Sequence, residues 1–111
     1  MIAVIAAGER WPDGALHPAV EDLWGAGAVI AALTRLGATE LSPEAQSASA
    51  AFASIEAHLE SALLDCSSGR ELVAIDFTGD VTIAAELDSS QSVPVLANGC
   101  FTDASKVPRR R

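Results

Sequence analysis

The first seven residues, Met-Ile-Ala-Val-Ile-Ala-Ala, form an unbroken apolar run closed by Gly8. A run without polar alternation reads as a strand buried on both faces, as inside an α/β sheet. Such a strand expects a neighbour on each side. One other good strand is visible, residues 93–96, with a short extension at Cys100 and Phe101. Two strands do not make a stable sheet. The expected class is therefore α/β and helix-rich, with about four helices around a small, incomplete sheet.

Residues 8–17 read as a loop in which Pro12, Asp13 and Gly14 supply the turn chemistry. Pro18 suits the first turn of a helix running to about Leu36, with Gly37 as its stop. Two apolar stripes run along this helix. One holds Asp22, Gly25, Ala26, Val29, Leu33 and Leu36; the other holds Val20, Leu23, Trp24, Gly27 and Ile30. Together they predict deep burial of its later turns. Gly25 and Gly27 each cost roughly 1 kcal/mol of helix propensity relative to Ala, and close approach of another backbone would compensate. Ser42 and Pro43 open a second helix as N-cap and first-turn proline. Its stripe of Ala45, Ala48, Phe52, Ile55, Leu59, Ala62 and Cys66 runs for about 20 residues, with a possible break near Ser54.

A capping box of Ser68 and Glu71 predicts a short third helix. Val73, Ile75 and Phe77 alternate like a strand, but the cap favours the helix. Gly79 and Asp80 begin a fourth helix, with Asp80 as its N-cap, ending near Asp88. Asn98 and Gly99 read as a turn between two short strands.

Half of the 111 residues are hydrophobic, but there are only three Phe, two Trp and no Tyr. Much of the apolar content is alanine, so the core should be thin. The net charge of −8 excludes a basic groove for nucleic acid. No apolar stretch approaches the roughly 20 residues that span a bilayer, so no membrane association is expected. Cys66 and Cys100 are too far apart for a C-x-x-C pair, and they read as reduced thiols in a cytoplasmic protein. Residues 1–105 read as one domain, and residues 106–111 as a basic tail containing Arg109, Arg110 and Arg111. The apolar first strand predicts a homo-oligomer, or association with a missing N-terminal half.

Candidate chemistry gathers between Ala6 and Gly27. A buried strand ends at Gly8, charged Glu9 and Arg10 follow, and a helix then carries Glu21 and Asp22 in its first turn. Ligands of α/β sheets bind beyond the carboxyl ends of strands. The spacing can bring Glu9, Arg10 and Asp22 to one sheet edge. Carboxylates there could hold a hard cation, and Arg10 could grip a phosphate or sulfonate with paired donors. The plainer alternatives stay open. Glu21 and Asp22 complement a helix dipole, and Glu9 and Arg10 pair with each other or face water. Asp22 stands out because it heads an apolar stripe, where a carboxylate needs a partner. Trp11 reads as a loop anchor, and His17 and His58 as isolated side chains. No Ser-His-Asp set, phosphate-cradling glycine loop or H-x-E zinc pattern occurs.

The segment AAGERWPDGALHPAVEDLWGAGAVIAAL resembles the middle of 2-phosphosulfolactate phosphatases, with G-E-R, D-G, E-D-L and G-A-G in order. SPEAQSASAAF, CSSGREL, DVTIAAELD and VPVL resemble the remainder of those proteins in the same order. The resemblance implies an α/β fold and magnesium-dependent hydrolysis of 2-phospho-3-sulfolactate to sulfolactate and phosphate, a step towards coenzyme M. The partner it implies is a small phosphorylated acid, and the cofactor is Mg2+. It also implies that the chain corresponds to the C-terminal half of a longer enzyme. Carried over by resemblance, Glu9, Arg10 and Asp22 are the expected catalytic residues. Arg10, Gly8 and Gly25 would bind substrate, and Glu9, Glu21 and Asp22 would bind metal. The alternative is an inactive relic, or a small binding or interaction domain that keeps part of the phosphatase fold.

Overall fold

The computed structural model describes residues 1–106. Arg109, Arg110 and Arg111 of the expected basic tail lie outside the described residues. The chain is a small α/β fold whose helical elements carry most of the packing.

Two short strands come first. β1 (Glu9–Arg10) pairs antiparallel with β2 (Leu16–His17), so that Glu9 faces His17 and Arg10 faces Leu16. The Trp11–Gly14 turn explains the register. Gly14 N–H donates to the Trp11 carbonyl at 2.8 Å, and Ala15 N–H donates to Asp13 Oδ1 at 2.9 Å. Gly14 has a φ of 86°, a left-handed conformation that glycine adopts without steric cost. The turn chemistry was legible in the sequence, but the residues flanking it form a hairpin rather than loop.

α1 (Val20–Arg35) follows, with Glu21 and Asp22 in its first turn. It ends in a Schellman motif. Gly37 N–H donates to the Thr34 carbonyl and Ala38 N–H to the Leu33 carbonyl, both at 3.0 Å. α2 (Pro43–Ala53) starts as expected, with Ser42 Oγ accepting the Ala45 N–H at 3.2 Å. α1 and α2 form the main packing pair of the molecule. Gly27 makes it possible, because a Cβ there would collide with the Ala48 carbonyl oxygen and lie 2.8 Å from Phe52 Cβ. Gly25 has no such role, since its Cβ position is open.

The second expected helix is interrupted at Ser54, as its sequence allowed. A 3-10 turn (Glu56–His58) leads into α3 (Leu59–Asp65). α4 (Ser67–Ala74) confirms helix over strand, but its cap differs from the expected Ser68–Glu71 box. Cys66 is the N-cap, and its Sγ accepts the Gly69 N–H at 3.4 Å. α5 (Thr78–Ala84) has Phe77 at its N-cap, so Asp80 sits in the first turn instead of capping it. The polypeptide closes with a second hairpin, β3 (Pro94–Ala97) and β4 (Cys100–Asp103). Asn98 and Gly99 turn it, with φ of 52° and 78°. Positive φ at both central residues suits the right-handed twist of the flanking strands.

Two expectations about burial need correction. Residues 1–7 form no strand and enter neither ribbon. Ile2 and Ile5 are exposed, and only Val4 is half-buried. An apolar run becomes an interior strand only if partner strands exist, and the described residues supply none. The sheet is therefore two separate ribbons. The two stripes of α1 are also not both buried. Ala26, Gly27 and Ile30 are buried against α2, but Val29 is 49% and Leu36 85% exposed. The core is as thin as the alanine content predicted, built on Ala26, Ile30, Ala48, Phe52, Ile55, Leu63 and Val81. The accessible surface is 8661 Å², against about 5,800 Å² for a compact monomer of this mass. Large apolar side chains stand exposed in that surface, among them Ile2, Ile5, Leu36, Ile83 and Phe101. Among the described residues, no helix is long and apolar enough to cross a membrane.

Candidate functional site

The first hairpin carries the candidate chemistry, and its position is fixed from outside. Gly8 N–H donates to Asp22 Oδ2 at 2.6 Å, fastening the entry of β1 to the first turn of α1. This supplies the partner that a carboxylate at the head of an apolar stripe requires. Gly8 itself adopts a φ of 67°, and a Cβ there would lie 3.2 Å from the His17 carbonyl oxygen. Glycine adopts this left-handed φ without steric cost, and a side chain would also press on Leu16 Cδ1 at 3.2 Å.

Beyond Gly8 the chain opens a cleft of about 350 Å³ lined by Ala7, Gly8, Glu9, Arg10 and Leu16. Arg10 Nη1 donates to the Gly14 carbonyl at 3.2 Å, which holds the guanidinium over the turn. A guanidinium has five N–H donors, so this bond leaves others to meet an anion. Glu9 and Arg10 do not pair with each other. Glu9 pairs across the ladder with His17, whose Nδ1 lies 3.4 Å from Glu9 Oε2. His17 is buried and stacks on Trp11, with ring centroids 3.8 Å apart and planes 20° apart. Trp11 is thus the loop anchor expected of it, but His17 is not isolated. Sequence reasoning missed this contact, although Glu9 and His17 flank the Pro-Asp-Gly turn at a spacing that a hairpin sets opposite.

The structure brings Gly8, Glu9 and Arg10 together in the cleft and ties Asp22 to them through the Gly8 amide. It does not bring Glu21 or Gly25 there. Both line a different cavity of about 240 Å³, walled by Trp24, Phe52 and Leu63 among others. Glu21 Oε2 lies 3.8 Å from Cys66 Sγ. Adjacent helical residues point about 100° apart, so Asp22 turns to the hairpin while Glu21 turns to α3 and α4. Gly25 follows Glu21 because residues four apart share a face.

Among the described residues, no three His, Cys, Asp or Glu side chains converge as a metal cage. The donors present are of a sparser kind: one carboxylate at the cleft, Glu9, and one behind its wall, Asp22. His58 is exposed on the 3-10 turn and touches none of this. Arg70 pairs with Asp65 at 3.7 Å on the surface, far along the chain from the hairpin.

No curated protein and no solved structure matches the chain. The family model described as 2-phosphosulpholactate phosphatase matches residues 2–99. That span takes in the hairpin with its cleft, all of the α-helices and β3. With its matched segments in one continuous run that covers most of its length, the chain belongs to the 2-phosphosulpholactate phosphatase family.

Proposed function

We propose that the chain hydrolyses the phosphate ester of 2-phospho-3-sulfolactate, or of a closely similar phosphorylated acid, with magnesium as cofactor. The family is one of phosphatases. The observation that carries the finer reading is the cleft at Gly8, Glu9 and Arg10, which puts a bending backbone, a carboxylate and a guanidinium around one space.

In the reaction a water oxygen bonds to phosphorus, the ester P–O bond breaks, and the departing alkoxide takes up a proton. Arg10 is suited to hold the anion. Its bond to Gly14 tethers one guanidinium nitrogen over the turn, and the planar fork can meet phosphate or sulfonate through two parallel hydrogen bonds. Donors set in place beforehand stabilise the charge that grows on the phosphoryl oxygens. Glu9 presents its carboxylate at the cleft, with its side chain 61% exposed. Asp22 holds the Gly8 backbone that shapes the floor.

Magnesium takes one or two carboxylates and fills its remaining positions with water and substrate phosphate. Of the expected metal residues, Glu9 is the carboxylate that lines the cleft and would offer an oxygen to the ion, while Asp22 stands behind it with Oδ2 taken by the Gly8 N–H. Glu21 is left out of this set, because it belongs to the other cavity. When bound, the ion polarises phosphoryl oxygens and lowers the cost of their charge.

The test is phosphate release from 2-phospho-3-sulfolactate in the presence of magnesium, together with calorimetric titration of sulfolactate. Arg10→Lys keeps the charge but loses the fork. It should weaken binding by about 1–3 kcal/mol, the range for charge-assisted bonds. Arg70→Lys, in a surface pair, should change little. Equal losses in both variants would mean that general charge governs affinity. Neither release nor binding by a folded wild type would transfer the reading to a domain that keeps part of the phosphatase fold without catalysis.

A further inference from the structure

We propose that residues 1–7 are an open strand edge that docks a second copy of this chain, the two segments pairing antiparallel over the α1–α2 face. The inference does not depend on the magnesium reading given above.

The segment lies on the helices as one strand of a sheet does. Val4 and Ala6 line a cavity of about 240 Å³ with Leu23, Ala26, Ile30 and Ala48. Ile5, between them, is 83% exposed. Sides that alternate residue by residue are those of extended chain. Among the described residues, no backbone hydrogen bond ties residues 1–7 to another segment. An open row of backbone donors and acceptors is a template for another strand. The pattern of the segment selects a copy of itself. Its side chains carry no charge, although the chain as a whole carries −8, so two copies meet here away from most of their repulsion. A twofold axis at Val4 sets Val4 opposite its own counterpart, Ile2 opposite Ala6 and Ala3 opposite Ile5. Every pair is apolar, and the contact is the same patch on both copies, as a twofold dimer requires. Two strands alone are marginal, but these two would rest on helices from both copies. The area is also sufficient. The accessible surface of 8661 Å² exceeds that of a compact monomer by about 2,900 Å², and a standard interface takes about 800 Å² from each partner. Ala7 and exposed Leu16 both line the cleft, so the seam runs up to the hairpin that carries the candidate site.

The test is sedimentation velocity on the full chain over a series of concentrations, at low and high salt. Ile5→Lys sets like charges on diagonal neighbours across the seam. Because Ile5 is exposed, the fold of the single copy should be untouched, which circular dichroism checks. Ile83→Lys, at an exposed isoleucine of α5, is the control. The expected results are dimers of the wild type, association weakened at least about tenfold in Ile5→Lys by the loss of two buried isoleucines per dimer, and no change in Ile83→Lys. Salt should tighten the dimer by screening the repulsion between two acidic copies. In a Cys100→Ser background, Val4→Cys should form a disulfide with its counterpart, because opposed residues stand about 4.5–5.5 Å apart, within disulfide reach. Leu36→Cys, equally open to solvent, should not. A wild type that stays monomeric overturns the inference and leaves the face to a different polypeptide. Dimers that Ile5→Lys leaves intact, or that Ile83→Lys weakens as much, place the contact elsewhere and overturn it too. So does association that salt weakens, a series of ever larger species, or cross-linking at position 36 instead of position 4.

Discussion

β1–β2 and β3–β4 are both two-stranded antiparallel ribbons built on tight turns, and they differ in what holds them. β1–β2 is shorter, yet it is fastened to the helical body by the Gly8–Asp22 bond and seated on buried His17. β3–β4 has a longer ladder and a favourable Asn-Gly turn. Its apolar side chains nevertheless stay exposed, with Leu96 at 62% and Phe101 at 74%. Among the described residues, the side-chain bonds at its end are local: Val93 N–H and the Ser105 N–H and hydroxyl donate to Asp103 Oδ1. An isolated hairpin is marginal in water. The difference teaches that ladder length matters less here than one well-placed bond to a helix. The ribbon with that bond is the one bearing the candidate site.

The comparison breaks most completely if the platform under the first ribbon is removed. Gly27→Val would drive a branched side chain into the Ala48 carbonyl and Phe52. Overpacking against backbone should cost about 3 kcal/mol or more, separating α1 from α2. Urea unfolding should show the loss. Wild-type stability in this variant would mean that the α1–α2 contact does not organise the fold.

A smaller change cuts the fastening alone. Asp22→Ala removes the acceptor for Gly8 N–H, and losing a charge-assisted bond should cost about 1.5–3 kcal/mol. Asp22→Asn keeps an acceptor oxygen and should lose less. Amide exchange should speed at Gly8 and through β1–β2, while β3–β4 stays as it was. Equal exchange changes in both ribbons would erase the distinction between them.

The smallest effect concerns the second ribbon. The Ser105 hydroxyl, followed by the Val93 and Ser105 amides, holds the Asp103 carboxyl below its ordinary value of 3.8. A carboxyl lowered by folding adds stability above its unfolded value, and that stability fades as pH falls through the lowered one. β3–β4 should therefore loosen below about pH 4, and Asp103→Asn should abolish this dependence. A carboxyl titration of Asp103 with its midpoint at or above 3.8 would contradict the argument.

Much of the local structure was legible. Ser42 with Pro43 announced α2, Gly37 ended α1, and Asn98-Gly99 turned the last ribbon, since caps and tight turns depend on a few neighbouring residues. Cys66 escaped notice as the cap of α4, because Ser68 and Glu71 matched a capping box just as well on paper. In the candidate site, the run Gly8-Glu9-Arg10 could be read directly, and so could the need of Asp22 for a partner. The identity of that partner could not, because it lies fourteen positions away across a turn. His17 passed as isolated for the same reason.

By itself the sequence determined the helix-rich class, the thin alanine core, most helix starts and stops, and the segment in which charged residues follow an apolar run. Each of these follows from short-range sterics, hydrogen bonding and composition. Only the tertiary structure decided that Glu21 and Asp22, adjacent in the chain, serve opposite sides of α1. It also decided that the apolar stripes are covered on one side alone, and that residues 1–7 do not join a sheet. Those outcomes depend on the rotational phase of a helix and on which partners arrive beside it. An apolar pattern states that a face can be buried; what buries it is set by the other elements that pack there.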